Sequence, residues 1–129
     1  MRILILDDMQ VRHDGFKIHF KGHQLFHALT FVTAQDIMIS QSEAKEPIEM
    51  CCLDHDLSDA IDNADSFYNE QGQQIFFNGK HFAFWLSNQD FCPSKIWIHS
   101  WNESEAQRMS EILSTRAEVK VQAYRSPKE

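Results

Sequence analysis

Three short stretches of this chain carry the side chains of acid–base and metal chemistry: Asp7-Asp8, Asp54-His55-Asp56 and His99-Ser100-Trp101-Asn102. Each stands at the end of an apolar run. Four or five carboxylates brought together there would repel one another and raise their own pKa values unless a cation neutralised them. The set therefore suits a hard divalent metal site or an acid–base site. His55 lies between two aspartates and His99 follows a strand, so a carboxylate can orient either imidazole for proton transfer near neutral pH. Arg12 and His13 fall about one turn into the helix after Asp7-Asp8, and a guanidinium there can hold a phosphate bidentately. Asn102 opens a helix whose unpaired N–H groups favour an anion. Trp101, in the same loop, can stack on a base. His19, His23, His27 and His81 have no such placement and read as surface or packing residues.

For these ends to meet, the runs before them must be adjacent parallel strands. Arg2 to Leu6, Phe26 to Val32, Ile48 to Leu53, Lys95 to His99 and Glu118 to Tyr124 read as strands. Helical stretches alternate with them: Met9 to Gly22, Ala34 to Ser42 behind Thr33 as N-cap, a segment ending near Asn88, and Glu103 to Thr115. In the last, Asn102 and Glu105 have capping-box spacing, and Met109, Ile112 and Leu113 form an apolar stripe. Alternating strands and helices predict an α/β fold, a five-stranded parallel sheet in flavodoxin-like order 2-1-3-4-5 inside a three-layer αβα sandwich. Ligands of that architecture bind outside the carboxyl ends of the strands, where strands 1 and 3 meet. The stretch from Asp54 to Gln74 holds Asp54, Asp56, Asp59, Asp62 and Asp65 with Gly72 and no apolar stripe, and reads as a long loop with a helical turn.

The 129 residues suit one domain, residues 1–129, and 43% apolar content with 4 Gly and 3 Pro excludes a disordered or collagenous chain. Twelve basic against 19 acidic residues give a charge of −7, which opposes non-specific attraction to nucleic acid or anionic lipid. The locally basic stretch is Arg12 to His23, with Lys17 and Lys21, so any contact with a polyanion is expected to be local to it. Met1 to Leu6 is too short an apolar run for a signal-peptide core or membrane span, so a cytoplasmic protein is expected. The odd number of cysteines (Cys51, Cys52 and Cys92) indicates packed, reduced thiols rather than a disulfide framework.

Asp7-Asp8, Asp54 and Ser100 resemble the acidic pocket, phosphoacceptor and hydroxyl position of response-regulator receiver domains. Three features depart from receivers. Tyr124-Arg125-Ser126-Pro127 replaces the lysine expected after the fifth strand, and His55-Asp56 and His99-Ser100-Trp101-Asn102 are not receiver-like. The chain more closely resembles the cyclic-phosphate-processing receiver-like domains. That resemblance rests on Leu6-Asp7-Asp8-Met9 followed by Arg12, on Leu53-Asp54-His55-Asp56-Leu57, on Ile98-His99-Ser100 with Asn102, and on Met109. It spans roughly Met1 to Leu113, with Ser58 where a glycine is usual.

The resemblance implies a phosphoesterase acting on 2′,3′-cyclic phosphate ends of RNA or a related nucleotide, in RNA repair, tRNA modification or phage–host conflict. A monomer or homodimer with no membrane partner is expected. The implied catalytic residues are Asp54, His55, His99, Asp56 and His13, with His99 and His55 as the proton-transfer pair. Asp7, Asp8 and Asp54 would hold Mg²⁺ or Mn²⁺, and Arg12, Ser100, Trp101 and Asn102 would grip substrate. A second route makes Asp54 a nucleophile that forms an acyl phosphate. The non-enzymatic alternative is a receiver-like switch or nucleotide-binding module.

Overall fold

The structure is a computed structural model that describes residues 1–57 and 66–127. Its central sheet contains β1 (Arg2–Leu6), β2 (Gln24–Ala28), β3 (Met50–Leu53), β6 (Lys95–Ile98) and β7 (Glu118–Val121), in the order β2-β1-β3-β6-β7. Every pairing in it is parallel. A separate antiparallel ribbon, β4 (Ser66–Tyr68) with β5 (Gln74–Phe76), is inserted after β3. With the ribbon set aside, the order is the flavodoxin-like 2-1-3-4-5 expected. Four helices complete the described chain: α1 (Gln10–His19), α2 (Phe31–Glu43), α3 (Gly79–Ser87) and α4 (Glu103–Leu113). None of them is long and apolar enough to cross a membrane.

Side chains alternate across a strand, and here the alternation divides the core in two. Leu4, Leu6, Cys51, Leu53, Ile96 and Ile98 pack with α2, α3 and α4, whereas Ile3, Ile5, Cys52 and Trp97 pack with Phe16 of α1 and with Tyr124. Cys51 and Cys52 are both buried, one in each core, and are free thiols. Being covered on both faces explains why the central strands are continuous apolar runs.

Three local expectations are corrected. Helix α2 starts at Phe31 because Thr30, not Thr33, is the N-cap, its side chain accepting the Thr33 N–H. Phe31 and Val32 therefore belong to the helix rather than to β2. Part of the expected loop is the β4–β5 ribbon, closed by an Asn69 side chain that accepts the N–H groups of Gln71 and Gln73 and by Gly72 at φ +75°. Its strands have only three residues each, too few for period-2 alternation to stand out. Ser58, Asp59, Asp62 and Asp65 lie outside the described residues.

Candidate active site

The parallel register aligns Leu6, Leu53 and Ile98, so the first residue beyond each strand falls at one level: Asp7, Asp54 and His99. Backbone bonds hold that level, with Asp54 N–H donating to the Leu6 carbonyl and His99 N–H to the Leu53 carbonyl, each at 2.9 Å. Strand parity continues past the strand ends. Asp7, Asp54 and His99 follow Ile5, Cys52 and Trp97 onto the α1 face, while His55 and Ser100 follow Leu53 and Ile98 towards α3 and α4. The site thus has two sides that meet over the sheet's carboxyl edge.

On the α1 side, Asp7 is fully buried. Its Oδ1 accepts the Met9 N–H at 2.8 Å, and its Oδ2 accepts from His99 Nε2 at 2.9 Å and from Arg12 Nη1 at 3.3 Å. Burial opposes its charge, but the His99 and Met9 bonds with Arg12 hold the carboxyl below its ordinary value. The same Arg12 nitrogen lies 3.2 Å from Asp54 Oδ2. Asp54 moves the other way. Burial, then the charge of Asp7, push it up to about 7, against Arg12 and the His55 N–H, which pull it down. Asp8 is half-buried beside them and its charge reaches both Arg12 and Asp54.

His99 is fully buried, boxed by Phe16, Trp97 and Tyr124 with ring centroids 4.9, 6.0 and 6.5 Å away. Burial lowers its pKa despite Asp7, and its Nε2–H donates to Asp7. His13 is buried as well: its Nε2–H donates to the Asp7 carbonyl at 2.7 Å, and its Nδ1 lies 2.8 Å from His27 Nδ1. Both histidines form the floor of the site and position Asp7.

On the other side, His55 Nδ1 is 2.8 Å from Asp56 Oδ1, and its Nε2 is 3.2 Å from Glu105 Oε2, within ion-pair range but without hydrogen-bond geometry. Lys80 Nζ is 3.3 Å from the same Glu105 oxygen, and Arg108 pairs with its other oxygen at 3.0 Å. Helix α3 comes this close because Gly79 lies against the Asp54 carbonyl, where a Cβ would overlap, and its N–H donates to the His55 carbonyl at 2.8 Å. Asn102 caps α4, accepting the Glu105 N–H, but its own N–H goes to Ser100 Oγ. The reciprocal half of the expected capping box is not made, because the Glu105 side chain is committed to Lys80, Arg108 and His55. Trp101 is 60% exposed. The sequence pattern marked Glu105 only as a capping residue and did not mark Lys80 at all. Both reach the site through the packing of α3 on α4, which local spacing does not encode.

The cyclic-phosphate processing receiver domain family matches residues 2–115. The chain belongs to that family. No curated protein matches this cyclic-phosphate processing receiver domain. Solved receiver domains share its fold. A CheY-like response regulator receiver domain protein from Methanospirillum hungatei JF-1 has 18% identity and a TM-score of 0.60, over 94% of this chain and 79% of that one. The signal receiver domain of a putative LuxO repressor protein from Vibrio parahaemolyticus has 16% identity and a TM-score of 0.59, over 97% and 80%. The receiver domain of NtrX from Brucella abortus has 15% identity and a TM-score of 0.58, over 96% and 88%.

The donor set of this cyclic-phosphate processing receiver domain fits a divalent cation. One ligand atom from each of Asp7, Asp54 and His99 lies within 4.8 Å of the others, and of these the two carboxylates are the hard oxygen donors, since His99 Nε2 gives its proton to Asp7.

Proposed function

We propose that this protein is a phosphoesterase that opens 2′,3′-cyclic phosphate at RNA 3′ ends or in a related nucleotide, in RNA repair, tRNA modification or phage–host conflict. One observation carries the reading: Asp54, displaced to about 7, stands beside the Arg12 guanidinium at the sheet's carboxyl edge, with His55 on the opposite side of the same strand end. Family membership supports it.

In the proposed reaction, ionised Asp54 takes a proton from water as the water oxygen bonds to phosphorus. The bond from phosphorus to one ribose oxygen breaks, and that oxygen takes a proton from His55, leaving a phosphomonoester. An in-line displacement needs its base and acid on opposite sides of phosphorus. The two faces of the strand end provide such a separation. Asp56 and Glu105 orient the His55 ring, His99 and His13 fix Asp7, and Arg12 with the α4 N-terminus at Asn102 faces the phosphate oxygens. A divalent metal would be held by Asp7 and Asp54 with Asp8, and would supply charge for the non-bridging oxygens.

The receiver fold and the place of Asp54 in it favour one second reading, a switch phosphorylated at Asp54. Phosphorus NMR of a 2′,3′-cyclic nucleotide with wild type, Asp54→Asn and His55→Ala separates the two. The phosphoesterase reading expects a phosphomonoester signal that both substitutions suppress. Wild type that leaves the cyclic signal intact while becoming phosphorylated by a small acyl phosphate supports the switch instead.

A further inference from the structure

We propose that Arg12 is the resident counter-cation of this site and competes with a divalent metal for Asp7 and Asp54. The inference goes beyond the phosphoesterase reading and holds whether or not cyclic phosphate is turned over. One guanidinium nitrogen, Nη1, bridges the two carboxylates at 3.3 and 3.2 Å, and it uses the same Asp7 oxygen that accepts from His99. A metal held by Asp7 and Asp54 would bind the same two carboxylates. A cation such as Mg²⁺ draws its ligands to about 2.0–2.1 Å and prefers a near-ideal octahedron. Coordination by both aspartates would therefore place it against the guanidinium, with like charges in contact.

The seat of Arg12 is built from elements outside the carboxylate pair. The Tyr124 ring lies under the guanidinium, 5.9 Å from Cζ to centroid. Tyr124 is itself held by its N–H donating to the His99 carbonyl at 2.9 Å and by close approach to α1 at Gly15, where a methyl group would overlap the tyrosine hydroxyl. Arg12 is also mostly withdrawn from solvent, its side chain 18% exposed. A cation tethered to the backbone never dissociates into bulk solvent, so an incoming metal has to displace it on every binding event. A guanidinium keeps its proton at any pH a protein meets, so the two carboxylates face a permanent positive charge.

The test is a calorimetric titration of Mn²⁺ into the metal-free full chain, with no nucleotide present, for wild type and Arg12→Gln. The substitution removes the charge and keeps most of the length. The expected result is Mn²⁺ binding at least tenfold tighter in Arg12→Gln than in wild type, with the gain lost in the double variant Arg12→Gln/Asp54→Asn. Equal or weaker binding by Arg12→Gln overturns the proposal, as does a gain that survives removal of Asp54. Should Arg12→Gln be unfolded without metal, Mn²⁺ must restore its circular dichroism and cooperative melting, and failure to do so also overturns it. Because no substrate is used, absence of phosphoesterase activity would leave this result standing.

Discussion

Asp54→Asn should make the protein more stable above neutral pH while removing its chemistry. Raising a carboxyl from 3.8 to about 7 means that the ionised form is disfavoured by folding, by about 4 kcal/mol at full ionisation. The sign follows from proton binding. Below 3.8 both folded and unfolded chains hold the proton and the group is neutral in its effect. Between 3.8 and 7 the unfolded chain gives up its proton first, so the folded state loses stability as pH rises, and above 7 the loss is complete. Asparagine cannot ionise, and its Oδ1 can still accept from Arg12, so the substitution relieves the burden while weakening one ion pair. Allowing for that weaker pair, a net gain of about 1–3 kcal/mol at pH 8 is expected. Urea unfolding in EDTA at pH 5, 6, 7 and 8 reads it directly: the gap between variant and wild type should widen with pH. A variant no more stable than wild type at pH 8, or a gap independent of pH, would refute the argument.

The same displaced carboxyl predicts that turnover measured in EDTA falls as pH drops through about 7, because the base must be ionised; a rate flat between pH 5 and 8 under those conditions would remove Asp54 from that role. His55→Ala should slow turnover by roughly 10²–10⁴-fold with little change in melting temperature. His99→Ala should instead lower stability by about 2–4 kcal/mol, since it empties a buried aromatic box and strips a donor from Asp7, and His99→Gln should recover part of the activity if positioning is its role. Gly15→Ala should destabilise the fold despite the better helix propensity of alanine, because the methyl meets Tyr124; thermal melting would show it. If RNA follows α1, the salt dependence of oligonucleotide affinity should be shallow, roughly −0.7 per phosphate contact, and Lys17→Ala with Lys21→Ala should reduce it.

The parallel sheet was legible because each central strand is a continuous apolar run followed by polar chemistry and alternates with helices; the order 2-1-3-4-5 came from the flavodoxin-like arrangement that five such strands suggest. Convergence of Asp7, Asp54 and His99 was legible for the same reason, since parallel strands in register end at one level. What escaped was what depends on depth and on neighbours distant in sequence. Local spacing does not show that both imidazoles lie under the site, because two of the three rings that bury His99, Phe16 and Tyr124, come from an amphipathic helix and from the segment after β7. Lys80 and Glu105 meet only because Gly79 lets α3 approach the Asp54 carbonyl. The N-cap of α2 was misplaced by three residues because Thr30 and Thr33 are chemically equivalent as caps, and only the backbone shows which one has left the helix.

The central claim is tested most directly on an RNA oligonucleotide ending in 2′,3′-cyclic phosphate, with product and protein weighed by mass spectrometry in the same reaction, with and without EDTA. The account predicts that the oligonucleotide gains the mass of one water, that the protein mass is unchanged, and that Asp54→Asn abolishes the product. An oligonucleotide that keeps its cyclic end in the presence of wild-type protein and Mg²⁺ or Mn²⁺ would contradict it.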